Sequence, residues 1–213
     1  MIPKIAILPP PQIELWKELD NIPEEFILYG GTAVALHLGH RESIDFDFFS
    51  NIPFDPAILY ERINFLKDAE ILQQAANSLT CLVHGNGEVK ISFFAMPTLK
   101  RINHPHVALE NNLKIASLMD LAGMKAVVVQ RRAELKDYLD IDAILKSGIS
   151  LASAISAAKI IYGQQFNPQL TLKALSYFED GDVHNLSAAA KLRIIQAVAE
   201  IDLDDLPNIE VQI

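Results

Sequence analysis

The sequence predicts an α+β fold, with strands and helices mixed over residues 1–110 and helices alone over residues 111–213. Three observations carry the prediction. An apolar run, Phe26-Ile27-Leu28-Tyr29, meets Gly30-Gly31 and opens into the helix-forming segment Thr32-Ala33-Val34-Ala35-Leu36-His37-Leu38. Ile44-Asp45-Phe46-Asp47-Phe48-Phe49 alternates apolar and acidic residues, the period of a half-buried strand. From about residue 110 the apolar spacing turns helical.

Taken in order, residues 12–21 read as a helix that Pro23 terminates before the strand at 26–29. The helix after Gly31 should stop near Gly39, placed as a C-terminal glycine would be. His40-Arg41-Glu42-Ser43 forms a short polar connection into the aspartate strand. Asp55-Pro56 starts a further helix with proline at its first position, and Leu59, Ile63 and Leu66 recur at helical spacing. Residues 71–76, 78–84 and 89–94 read as strands, the last two joined by a Gly85-Asn86-Gly87 hairpin. Leu113, Ile115, Leu118, Leu121, Met124, Val127 and Val128 are expected on one helix that also carries Asp120 and Lys125. A second helix is expected over 131–146, ending at Gly148, and three more over 151–162, 167–178 and 187–201. There is no internal repeat, and a soft boundary lies near 148–150.

Composition narrows the class. Hydrophobic residues make up 50% and charged residues 21% of the chain, a globular balance. No apolar stretch reaches the roughly 18–20 residues that a bilayer demands, and the proline-cut N-terminus lacks the pattern of a signal peptide. One cysteine, Cys81, rules out an intrachain disulfide and a cysteine-cluster metal site. A cytoplasmic protein with no membrane partner is expected. The net charge of −9 argues against a broad nucleic-acid-binding surface, yet residues 90–136 hold eight Lys/Arg against three acids. A polyanion could dock on that segment; varied charge on solvated helices is an equal reading.

The chemistry concentrates on Asp45 and Asp47. Positions two apart on a strand share a face about 6.6 Å apart, and carboxylates so placed can converge on divalent cations. Two hard carboxylates suit Mg²⁺, which takes its remaining ligands from water and substrate phosphates. Gly30-Gly31 at a strand-to-helix turn can present backbone N–H groups to a phosphate. Thr32 offers a hydroxyl at the same end or serves as a helix cap; Arg41 offers a phosphate contact or a salt bridge to Asp45 or Glu42. A third carboxylate, expected on the 89–94 strand, is replaced at the inward polar position by Ser92, and Glu88 lies at the turn. Lys125, Arg132, Lys136 and Asp140 share one face if the helix is continuous, which makes either a cationic row for a triphosphate or a Lys136–Asp140 ion pair. Asp137 and Asp140, three apart, can both face a pocket mouth. His104-Pro105-His106 is read as a solvated turn and Cys81 as a buried strand residue.

Gly30-Gly31-Thr32-Ala33 followed by His40-Arg41-Glu42-Ser43-Ile44-Asp45-Phe46-Asp47-Phe48-Phe49 resembles the AbiEii/AbiGii toxin family of nucleotidyltransferases, within the polymerase-β-like superfamily. Asp120-Leu121-Ala122-Gly123-Met124-Lys125 and Lys136-Asp137-Tyr138-Leu139-Asp140 resemble that family's downstream segments, and the similarity spans roughly residues 22–180. The resemblance implies a small mixed sheet flanked by helices as the nucleotidyltransferase core, 1–110, with a helical C-terminal region, 111–213. It also implies transfer of a nucleotide from an NTP to an RNA, tRNA or protein hydroxyl with Mg²⁺, and a cognate antitoxin as partner. Gly30 and Gly31 would then bind phosphate, Asp45 and Asp47 the metal, Lys125 the nucleotide, and Asp137 or Asp140 would assist at the acceptor. A catalytically degenerate member that binds nucleotide or a partner without turnover is the alternative, favoured by Ser92.

Overall fold

In the computed structural model, which describes residues 1–212, strand β2 (Phe46–Ser50) sits near the middle of a seven-stranded mixed sheet. Its neighbours are β1 (Ile27–Tyr29), antiparallel, and β5 (Gly87–Ala95), parallel. Beyond β5 come β4 (Ser78–Gly85) and the edge strand β3 (Glu70–Ala75), both antiparallel to their neighbours. Beyond β1 come β7 (Lys114–Ile115), parallel to it, and β6 (His106–Val107). The order is therefore β3-β4-β5-β2-β1-β7-β6.

Alternation makes the sheet two-faced. Phe46 and Phe48 pair with Ile91 and Phe93 in register, and all four are fully buried. The Phe48 and Phe93 rings stack at 5.3 Å, with Phe26 edge-on to Phe93 at 5.2 Å. Burial of several aromatic side chains on one face supplies most of the drive for this packing. The opposite face of β2 carries Asp47 and Phe49.

The expected helices of this half are present: α1 (Pro10–Trp16), α2 (Gly30–Leu38) and α3 (Pro56–Arg62). Gly39 ends α2 with φ +68°, a left-handed residue where glycine avoids Cβ crowding. Asp55 caps α3, accepting from the amides of Ala57 and Ile58. The first helix is shorter than the expected 12–21 span, because a separate 3₁₀ turn occupies Leu19–Asn21.

Two expectations of continuous helix are corrected. Leu113 and Ile115 do not ride on the helix of Lys125: Ile115 lies in β7, and α4 (Leu118–Val128) starts at Ser117, whose hydroxyl accepts from the Asp120 amide. The next helix, α5 (Leu135–Lys146), begins four residues later than expected, after a non-helical connection at 129–134. The remaining helices are α6 (Leu151–Tyr162), α7 (Pro168–Leu175) and α8 (Ala188–Ala199).

The chain divides into two units by its internal contacts: residues 1–99 with 105–116, holding the sheet, and residues 100–104 with 117–213, holding α4 to α8. Within the second unit Ala126, Tyr138, Ile141, Ile155, Leu175 and Ile194 belong to one apolar core. There α4 and α6 approach closely because Gly123 has no Cβ; one placed there would come within 2.9 Å of the Ala157 Cβ. Asp120 pins residues 102 and 103 to this unit, accepting from the Ile102 amide at 2.6 Å and the Asn103 amide at 3.2 Å. Among the described residues no single helix is long and apolar enough to cross a membrane.

Candidate active site

In the sheet unit, β1 delivers Tyr29 directly opposite Asp47, and the chain then turns into α2 at Gly30. Gly30 takes φ +70°, a conformation that costs an L side chain about 1–2 kcal/mol. A Cβ there would also lie 2.7 Å from Asp47 Oδ2. Glycine is therefore required twice over, for the turn and for the carboxylate lodged against it. The α2 N-terminus has no side-chain cap from Tyr29, so the positive end of the helix lies beside the acidic strand.

Thr32 is neither a cap nor an open hydroxyl. It is buried in the first turn of α2, where Oγ1 donates to the Asp45 carbonyl and lies 2.7 Å from Ser43 Oγ. A hydroxyl has one proton to give; with Thr32's spent on Asp45, Ser43 is the donor in the second bond. Ser43 and Thr32 together fix the backbone that presents Asp45.

Asp45 immediately precedes β2 instead of lying inside it, and Ile44 is 58% exposed instead of half-buried. The Asp45 carboxylate is partly exposed, with Lys90 Nζ 3.3 Å from Oδ2. Asp47 pairs in register with Ser92, which is buried. The face of β5 beside the aspartates thus offers Lys90, Ser92 and Phe94 and no carboxylate, while Glu88 sits near His84 at the hairpin. Phe49 shares the Asp47 face, edge-on to Tyr29 at 5.4 Å, and is only half-buried. Arg41 Nη1 donates to the Glu42 carbonyl at 2.8 Å.

A divalent cation suits this donor set. The oxygens are hard, the two carboxylates are two residues apart, and the missing Cβ at Gly30 leaves a cradle beside Asp47 Oδ2. Lys90 Nζ already lies against Asp45 Oδ2, so a cation at Asp45 would compete with the ammonium. Among the described residues there is no group of three or more His, Cys, Asp or Glu side chains able to hold a metal, so no third side chain of those types joins the two aspartates. His106 lies in β6, its ring 5.4 Å from that of His37.

The second set of candidates lies in the helical unit. Lys125 is buried on α4, with Nζ 2.7 Å from Asp137 Oδ1 and 2.5 Å from Asp140 Oδ2. Both aspartates are fully buried, so they do not face a pocket mouth as expected from their spacing. Arg132 donates from Nε to Asp137 Oδ2 at 2.8 Å. Two cations and two anions make the cluster neutral overall, the condition under which charge is tolerated inside a protein. The cationic row is broken by the 129–134 connection, which separates α4 from α5. Lys136 is exposed and pairs with Glu134 at 2.9 Å, not with Asp140.

Lys90 and Ser43 escaped the sequence reading. The period-2 logic that placed Ser92 beside Asp47 also places Lys90 beside Asp45, so the signal existed for the first. Nothing local marks Ser43, whose partner is eleven residues away on another element.

A family model, the AbiEii nucleotidyl transferase toxin of type IV toxin–antitoxin systems, matches residues 15–208. The uncharacterized protein aq_aa25 of Aquifex aeolicus is 33% identical over 163 residues, which are 75% of this chain and 77% of that one. MenT4, a nucleotidyltransferase toxin of Mycobacterium tuberculosis, superimposes with a TM-score of 0.60 at 14% identity, over 91% of this chain and 83% of its own. A nucleotidyltransferase structure from H. pylori gives 0.57 at 15% identity, over 88% and 91%. These two likenesses establish the fold, a nucleotidyltransferase α+β architecture. With the family model spanning nearly the whole sequence, the chain belongs to the AbiEii family of nucleotidyltransferase toxins.

Proposed function

We propose that the chain moves a nucleoside monophosphate from an NTP to a hydroxyl of RNA, tRNA included, or of a protein, with Mg²⁺ held by Asp45 and Asp47. In this reading it is the toxin of a pair, held in check in the cytoplasm by a cognate antitoxin. One observation carries it above the others: the Asp47 carboxylate is packed against Gly30 at the start of α2. That contact puts the acidic strand and the glycine turn at one spot, as nucleotidyl transfer requires.

When bound, the cation would neutralise triphosphate charge and favour displacement of pyrophosphate from the α-phosphorus by the acceptor hydroxyl, whose proton passes to water. The chain's own groups do the rest. The Gly30-Gly31 backbone orients the phosphates at the α2 N-terminus. Thr32 and Ser43 hold the Asp45 main chain fixed, and Arg41 is proposed to engage phosphate from the loop. Lys125, Asp137 and Asp140 form a charge-balanced unit, so Lys125 would take up a phosphate only by giving up one of its carboxylates. Lys136, exposed on α5, would meet a phosphate only by leaving Glu134.

Ser92 favours a second reading, in which the protein binds nucleotide without turnover. It is buried in register with Asp47 and has no carboxylate to take a proton from the acceptor hydroxyl. Incubation with each of four labelled NTPs, Mg²⁺ and total RNA distinguishes the two. Transfer of label that Asp47→Asn abolishes supports the enzyme. An NTP-dependent thermal shift without label in RNA or protein supports the binding protein.

A further inference from the structure

The helical unit contains a recess of about 510 Å³, built wholly from residues 129–180 and assigned no role by the reaction above. Pockets of about 300–1,000 Å³ suit small organic ligands of nucleotide size. The 129–134 connection contributes Arg131 and Arg132, α7 contributes Lys173, and Tyr138, Tyr177 and Asp180 complete the polar wall. Arg131 and Lys173 are exposed, and among the described residues neither forms an ion pair with a carboxylate. The Arg132 charge is shared with Asp137 and Glu134. Asp180 is the one acid in the lining, at an exposed position.

The aromatic groups differ in role. Tyr138 is buried and its hydroxyl donates to the Ala174 carbonyl at 2.9 Å, so its ring is a fixed part of the wall. Burial raises its pKa, with Asp180 and Asp137 adding to the effect, so the phenol stays neutral. Tyr177 is 53% exposed and leaves a ring face available. An exposed aromatic between unpaired cations is the chemistry that grips one nucleotide of a single strand: base on ring, phosphate on guanidinium and ammonium.

Charge distribution points the same way. The sheet unit holds seven Lys/Arg against fourteen Asp/Glu, so attraction for a polyanion has to come from elsewhere. We propose that the recess holds one nucleotide of a single-stranded RNA, its phosphate between Arg131 and Lys173 and its base on Tyr177. That this RNA is the acceptor rests on the nucleotidyl-transfer reading; the binding itself does not.

The test is fluorescence anisotropy of a fluorescein-labelled single-stranded RNA dodecamer with the full chain, without NTP or Mg²⁺. The double variant Arg131→Glu, Lys173→Glu weakens binding at least about tenfold and flattens the log–log salt dependence by about 0.7, the value for one lost phosphate contact on a single strand. Tyr177→Ala weakens it about tenfold while Tyr177→Phe keeps it, as stacking demands. A control with the same charge change at exposed lysines outside the lining, Lys159→Glu with Lys100→Glu, retains the affinity, and thermal melts confirm that every variant is folded. Equal weakening by control and pocket variants, or none from the pocket variants, overturns the assignment. Displacement of the RNA by ATP at matched nucleotide concentration overturns the single-strand claim in favour of a free-nucleotide site. Asp47→Asn binds the RNA like the parent chain; absence of labelling by the parent chain, or labelling that survives Asp47→Asn, with binding intact sinks the transfer reading alone, and loss of the pocket effect sinks this one alone.

Discussion

The Asp47 carboxylate rests against Gly30: a methyl group added to that glycine would sit 2.7 Å from Oδ2 and 3.3 Å from the Asp47 Cβ. Strand pairing holds the contact in place, since Tyr29 lies opposite Asp47 in the β1–β2 register. The glycine turn and the acid are thus parts of one structure.

Gly30→Ala must therefore either move the turn or push Asp47 away. Unfavourable φ alone costs about 1–2 kcal/mol, and the contact with Asp47 adds to it. A urea midpoint that falls by the corresponding amount, together with loss of any Mg²⁺-induced thermal shift, is the expected result. An unchanged midpoint means that the turn relaxes freely and the contact is incidental.

Lys90→Met separates ion pairing from metal binding. The Lys90–Asp45 pair is partly exposed, so stability changes by less than about 1 kcal/mol. With the competing ammonium gone, Mg²⁺ should saturate its thermal shift at lower concentration than in the parent protein. If the titration midpoint does not move, Asp45 is not a ligand.

The cluster in the helical unit predicts a larger effect. Lys125→Met removes the cation between two fully buried carboxylates, a change that typically costs about 3–5 kcal/mol. Lys136→Met, which breaks only an exposed contact with Glu134, should cost a few tenths at most. Denaturant titration of both variants checks the contrast, and similar losses would contradict the burial of Asp137 and Asp140.

Asp142 joins α5 to α8 through Arg193 Nε at 2.7 Å and also accepts from Lys146 Nζ at 2.6 Å. Burial alone would raise its pKa, but hydrogen bonds and charge from Arg193 and Lys146 outweigh that and hold it below 3.8. The unfolded chain then binds this proton more readily than the folded one, so the stabilisation is complete above the ordinary value and disappears as pH falls through the folded one. Asp142→Asn should lower stability at neutral pH and flatten its decline below about pH 4. An acid-unfolding curve parallel to that of the parent would remove Asp142 from the linkage.

Local rules, legible in the residues themselves, determined much of the fold. Alternation about Phe46 and Phe48 fixed which face of β2 is apolar, Gly39 marked the end of α2, Asp55-Pro56 the start of α3, and Asn86 the hairpin tip. Each depends on neighbours within a turn or a strand pair, so short-range spacing is enough. Ser117 and Asp120 also carried a helix-start signal three residues apart, which locates the α4 boundary better than the apolar stripe did.

Tertiary structure alone decided the rest. Strands β6 and β7 have two residues each and no period to read; they exist because β1 offers an edge for Ile115. Likewise, Lys125 chose Asp137 and Asp140 over solvent because α4 packs on α5, and Lys136 chose Glu134 because Asp140 is turned inward to Lys125. Spacing along a chain assigns a side chain to a face. Which charge it meets depends on how distant segments pack, since a buried ion must find its opposite wherever the fold supplies one.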